Sequence, residues 1–154
     1  MPEQAPADPE RLTIVPRLER PGEEARYLLV RWPDWPPPAM LSIVAVAGDD
    51  TVAAVESALR ARMNVSCIEA PRIAAERFAV RMRHPRTGGE GPGWLRAAGV
   101  RVAGVPEPDA LLDAVVELTF DDALGQLETD VERLLLRSAA ALFEGGERSA
   151  IPLT

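Results

Sequence analysis

The chain has 154 residues, 47% apolar and 27% charged, enough for one domain with its own core and too few for two ordinary ones. Its formal charge of −7 disfavours nonspecific attachment to nucleic acid, because counterion release from phosphates needs a basic surface. No run approaches the roughly 18 apolar residues of a membrane-spanning helix, and MPEQAPADPE has neither the basic nor the apolar stretch of a signal peptide, so the cytoplasm is the expected compartment.

Residues 1–11 combine proline, alanine and acids without periodicity and predict a mobile tail ahead of a single domain over 12–146, with a second tail at 147–154. LTIVPRLE and ARYLLVRW flank RPGEE, the pattern of a hairpin with a glycine-containing turn. Alternation puts Leu28 and Val30 on one face and Tyr27, Leu29 and Arg31 on the other. WPDWPPP is expected to leave the sheet, since consecutive prolines supply no ladder donors. Trp32 and Trp35 there either cap the core or line a ligand cleft.

MLSIVAVA reads as a buried strand stopping at Gly48, and residues 48–65 as a short helix. Asp49 and Asp50 place acids at its positive end, Val52, Val55, Leu59 and Met63 mark its buried stripe, and Asn64 suits its left-handed stop. Cys67 is the only cysteine, which excludes an intramolecular disulfide and a cysteine zinc cluster; packing is its expected role. From Ala75 to His84 the residues alternate, with Phe78, Val80 and Met82 inward and Arg77, Ala79, Arg81 and Arg83 outward. His84, the only histidine, leaves little for His-paired metal sites or Ser-His-Asp triads and reads as structural.

TGGEGPG is expected to be a flexible loop, followed by a short strand at residues 100–105, a break at PEPD and a last strand in AVVELTF. Thr119-Phe120-Asp121-Asp122 opens a short helix through about Leu127. Thr129-Asp130-Val131-Glu132 is a capping box, Gly145-Gly146 a stop, and Val131, Leu134, Leu135, Ser138, Ala141 and Leu142 the expected docking stripe between them.

This order of elements, with DAVVELTFDDALGQLETDVERLLLRSAAALF at its end, resembles the Nudix fold across roughly residues 12 to 145. The resemblance implies an α/β (α+β) domain, a mixed β-sheet sandwiched between helices. Nudix hydrolases carry the box G-x5-E-x7-R-E-U-x-E-E-x-G-U, with U aliphatic, in which carboxylates hold divalent metal against a pyrophosphate. Laid on this chain, the box puts its first Glu at Asp49, aliphatic positions at Leu59 and Val65, and its late Gly at Asn64. Its opening Gly falls on Ile43, its Arg on Ser57, and its three later Glu positions on Ala58, Ala61 and Arg62. Methyl groups offer a hard cation no oxygen. At ~4 Å and an effective dielectric of ~20, two unit charges interact by roughly 4 kcal/mol, so a guanidinium beside a dication costs about twice that before screening.

The departures fall on the chemistry, so the expected function is a Nudix-like domain without metal-dependent pyrophosphate hydrolysis and without a cofactor, serving as a nucleotide- or phosphate-binding or assembly module. Arg62 and Arg60 are candidates to meet a phosphate directly through the guanidinium fork, against the blander reading of a solvated face with an Arg60–Glu56 pair. Arg81 and Arg83 are candidates on the cationic strand. Residues 71–86 carry five arginines against Glu76, a local charge of +4, which invites either a nucleotide-like ligand or the acidic surface of a second subunit in a homodimer. A second reading keeps an active hydrolase of nucleoside diphosphate derivatives, with Mg²⁺ or Mn²⁺ on relocated acids: Asp49, Asp50, Glu56 and those near Glu90. A third is a structural homo-oligomeric partner with no small ligand.

Overall fold

The computed structural model describes residues 8–44, 50–83 and 88–150, with side chains up to Glu144. β1 (Glu10–Leu18) starts just ahead of the expected domain boundary and forms the expected hairpin with β2 (Arg26–Trp32). The two strands pair only beside their turn, at Arg17 with Tyr27 and Leu18 with Arg26. Further along, β3 (Trp35–Ala39) takes the same edge of β2, and β4 (Leu41–Val44) takes the same edge of β1 from Arg11 to Ile14. A single stretch of chain thus enters the gap where the hairpin opens.

β3 corrects the expectation that WPDWPPP leaves the sheet. Its ladder is registered only at Val30 with Ala39 and Trp32 with Trp35, with a register shift between them. Trp35 and Ala39 have N–H groups to give, whereas the three prolines fall in the irregular stretch that needs no donor. Asp34, at φ 65°, makes the tight turn in the left-handed conformation that its short polar side chain tolerates.

The other edge of β1 runs parallel to β7 (Glu90–Ala103) along its whole length. β7 in turn is antiparallel to β5 (Ser66–Cys67) and to β6 (Arg72–Arg83), while β8 (Ala114–Leu118) pairs with the far edge of β2. β7 takes Glu90–Gly93 out of the loop expected over TGGEGPG, whose Thr87 lies outside the described residues, and it contains the short strand expected at 100–105 as far as Ala103. Gly93 has a packing reason that local propensity cannot show. A Cβ on Gly93 would lie 2.5 Å from Met82 Cγ, so the bare backbone is what lets the Met82 side chain cross the hairpin. His84 and Arg86 lie outside the described residues.

α1 (Asp50–Met63) packs on one sheet face, and α2 (Phe120–Gln126) and α3 (Asp130–Ala150) pack on the other, giving the mixed sheet between helices that the resemblance implies. Strand alternation feeds both cores: Ile14, Leu28, Val30, Val100 and Val102 meet Val55, Leu59 and Met63 of α1, while Val15, Tyr27, Leu29 and Ala97 meet Leu135, Leu136, Ala139 and Phe143 of α3. Val52, expected in the α1 stripe, is 44% exposed.

The α3 stripe is likewise rotated from its expected phase. Leu134 is 44% exposed and Ala141 is exposed, and the buried line is Leu135, Leu136, Ala139 and Phe143. Three consecutive leucines allow two helical phases, and the bulky Phe143 ring takes the inner one. The N-cap half of the capping box is present, with Glu132 N donating to Thr129 Oγ1 at 3.2 Å, and the Thr129 hydroxyl donates to Glu132 Oε1 at 3.0 Å. The Gly145-Gly146 stop is not: the helix runs to Ala150, since glycine permits a C-cap without imposing one.

Candidate functional site

The helix on which the box falls has its aliphatic and turn positions where the box puts them and other residues on its acid positions. Leu59 and Val65, on its aliphatic positions, are 0% and 1% exposed, and Asn64, on its glycine position, has φ 59°. Ser57 and Ala61 face solvent, and Ala58 packs partly against the core beneath α1. The residues on the acid positions do not fit a divalent cation: two present methyl groups, and the third is an arginine that already has a partner.

That partner is Asp109. Arg62 Nη1 lies 2.6 Å from Asp109 Oδ2, with both side chains partly exposed. The rest of the same loop finishes the helix. Glu107 N donates to Met63 O at 2.9 Å and Asp109 N to Arg62 O at 3.2 Å, satisfying carbonyls that the last turn of a helix leaves unbonded. Gly104, at φ 124°, admits the close approach, because a Cβ there would stand 3.3 Å from Asn64 O. Asp109 also holds its own loop by accepting from Leu111 N at 2.9 Å.

The Arg62 guanidinium holds the Asp109 carboxyl below its ordinary value of 3.8, and the amides of Leu111 and Leu112 act in the same direction. A carboxylate depressed in the folded state stabilises the fold above its unfolded pKa and loses that contribution as pH falls through the folded one. Asp109→Asn should therefore be less stable than the parent at pH 7, and the gap should close as pH drops below 3.8. Urea midpoints of both proteins at about pH 7 and at a series of pH values falling below 3.8 check this, and a gap that does not narrow as pH falls would rule the pair out as its cause.

Arg60, the other arginine of this helix, bonds Glu56 Oε1 at 3.0 Å across one helical turn. Asp50 and Glu56, considered as relocated ligands, are six residues apart and about 240° around α1 from one another, so they do not converge. Asp49 lies outside the described residues. Among the described residues, no three His, Cys, Asp or Glu side chains gather in a set that could hold a metal ion.

The structure does not bring Arg60 and Arg62 together with Arg81 and Arg83. Arg81 instead lines a cleft of about 350 Å³ between β1, the β6–β7 hairpin and the first turn of α3, with Arg11 as a second cation. Its walls are apolar, from Val80, Met82, Leu95 and Val131, and Thr129 and Glu132 close the helix side. A polar network continues from the cleft: Arg11 Nη2 donates to Ser42 O at 3.2 Å, the Thr13 and Ser42 hydroxyls are 3.2 Å apart, and Met40 N donates to Glu132 Oε2 at 3.4 Å. Arg83 is exposed at the far end of β6. Trp32 packs against the core beneath α1, while Trp35, 53% exposed, lines a smaller recess of about 300 Å³ with Arg31, Asp34 and Asp113.

Sequence reasoning missed Arg11 and Asp109. Arg11 sits in a strand of ordinary pattern, and Asp109 in a PEPD segment that reads as a break. Only the parallel pairing of β1 with β7 and the folding of the loop onto α1 give them neighbours.

No protein-family model matches the sequence, and a search of curated proteins finds no similar chain. Solved structures are similar in fold. The NUDIX domain of Shewanella oneidensis NrtR, complexed with ADP ribose, superposes with a TM-score of 0.61 at 13% identity, covering 90% of each chain. A MutT protein from Bacillus halodurans gives 0.61 at 10% identity over 84% of this chain and 80% of that one. The C. elegans Ap4A hydrolase gives 0.58 at 15% identity over 89% and 98%. The chain has the Nudix fold.

Proposed function

We propose that this Nudix-fold chain is a homodimeric binding module for a phosphorylated, nucleotide-like ligand and does not hydrolyse diphosphates by metal-activated water. The observation that carries this reading is the Arg62–Asp109 pair, which puts a bound guanidinium where the box calls for a carboxylate, beside two alanines. A dication placed there would have to displace a short ion pair and then face the freed cation.

The ligand class is supported by the cleft at the start of α3. Arg11 supplies a cationic donor and Arg81 borders the outer rim, the walls offer apolar surface to a flat ring, and the carboxylate of Glu132 offers an acceptor for a sugar hydroxyl or an exocyclic amine. The bound ADP ribose of the NrtR NUDIX domain makes that compound the first probe. Among the described residues no helix is long and apolar enough to cross a membrane.

Two measurements on the purified protein test the reading. Phosphate release from ADP-ribose, diadenosine tetraphosphate and nucleoside triphosphates, with Mg²⁺ or Mn²⁺, should stay at the level of an EDTA control. Calorimetry with ADP-ribose should show binding that Arg11→Ala weakens about tenfold or more, the scale of one hydrogen bond to a charged group. EDTA-sensitive turnover would overturn the first half of the proposal, and affinity indifferent to Arg11 the second.

A further inference from the structure

The β6–β7 hairpin beyond the helix-covered part of the sheet has two unlike faces. Phe78, Val80 and Met82 are half-buried toward α3, and Arg77, Ala79, Arg81 and Arg83 are exposed on the opposite side. On that side Arg77 lies over the Trp94 ring, its guanidinium carbon 4.4 Å from the centroid. Stacking holds a guanidinium flat and leaves its N–H edge free for a carboxylate. No ion pair to Arg77, Arg81 or Arg83 is formed among the described residues. Among the described residues β6 is also an outer strand of the sheet, paired with β7 alone.

The complementary surface is on the same chain. Residues 121–132 hold Asp121, Asp122, Glu128, Asp130 and Glu132 and no basic residue. The first four are exposed around the start of α2, the α2–α3 junction and the start of α3. Two helix N-termini offset about one unit of that charge, and Asp130 pairs with Arg133. The corner stays anionic.

From this distribution we propose that two copies associate about a two-fold axis, the arginine face of β6–β7 in each seated on the acidic α2–α3 corner of the other. The inference rests on the homodimer reading above and names the surfaces that make it. A two-fold contact is reciprocal, so one arrangement satisfies both patches twice. The alternative symmetric arrangement, β6 edge against β6 edge, sets Arg77, Arg81 and Arg83 of each copy toward the same residues of the other, and like charges directly opposite are destabilising. A contact built on exposed charges is also screened by salt, with a Debye length of about 10 Å at 0.1 M and 3 Å at 1 M.

Sedimentation velocity and a charge-swap series test it with exposed residues that do not line the ligand cleft of Arg11 and Arg81. The wild-type dimer should weaken about tenfold or more between roughly 50 mM and 500 mM NaCl. Arg77→Glu with Arg83→Glu, and separately Asp121→Arg with Glu128→Arg, should each sediment as monomers. Mixed in equal amounts, the two variants should recover a dimer, because each reversed patch then meets its opposite. Far-UV circular dichroism establishes that both are folded, and the salt dependence of the wild type stands without either. A wild-type dimer that neither salt nor either reversal weakens would overturn these surfaces while leaving the homodimer. A monomeric wild type would overturn both, as would a monomer whose arginine face instead retains a fluorescent single-stranded oligonucleotide at physiological salt.

Discussion

Phe143→Ala should be the most damaging single truncation in the chain, costing about 3–5 kcal/mol, as buried aromatic-to-alanine changes do. Phe143 is 1% exposed and closes the core between α3 and the sheet. Its ring is tilted against Tyr27 at 6.4 Å between centroids, and the guanidinium carbons of Arg17 and Arg101 stand 5.1 and 5.2 Å from its centroid. Removing it leaves a void and strips two half-buried cations of an aromatic face. For a domain of this size a loss of that order lowers the melting temperature by roughly 10 °C or more. Gly99 belongs to the same contact, because a Cβ there would lie 3.2 Å from Phe143 Cζ. Gly99→Ala should therefore be costly in the parent and nearly free in the Phe143→Ala background, the non-additivity expected of touching residues. Urea unfolding of the four proteins, with Leu134→Ala as an exposed control costing under about 1 kcal/mol, completes the cycle. A Phe143→Ala loss no larger than that of the Leu134 control would show that the ring is not what fixes the phase of α3.

That phase marks the boundary of what the amino-acid order reveals. Where one local signal acts alone, the reading holds: the Thr119 and Thr129 caps, the Asn64 turn, the alternation of β6 and the two faces of β2 all appear as expected. Where two local signals compete, tertiary contacts decide. The leucine run of α3 is resolved by Phe143, Gly93 of β7 by Met82, and the prolines of β3 by the gap where the hairpin opens, which β3 and β4 enter together. The candidate site divides the same way. That Ala58, Ala61 and Arg62 are not carboxylates is visible in the chain itself, since residue identity needs no structure to be noticed. The company that Arg62 keeps is not, because Asp109 arrives from a loop 47 residues away.

On the proposed reading, carboxylates at the acid positions of the box should restore a cation site. Ala58→Glu, Ala61→Glu and Arg62→Glu together should give divalent-cation binding stronger than the parent's. Positions 58, 61 and 62 share one helical face, three and four residues apart, so three carboxylates there converge as isolated acids do not. The change at Arg62 acts twice: it adds an acid and releases Asp109, which would then be unpaired at the rim of the new patch. Three adjacent carboxylates repel one another, and the longer side chain at position 58 disturbs the half-buried contact that Ala58 makes with the core. The variant should therefore be less stable than the parent without metal and regain stability with it. Mn²⁺ titration by calorimetry or electron paramagnetic resonance should show saturable binding at least about tenfold tighter than in the parent, and about 100 times the dissociation constant of Mn²⁺ should restore about 2.7 kcal/mol. A folded triple variant that takes up no Mn²⁺ would mean that the backbone of α1 and its loop, not only the side chains, has left the metal-holding geometry. Binding with no accompanying hydrolysis would show that carboxylates at these three positions restore a cation site without restoring a reaction.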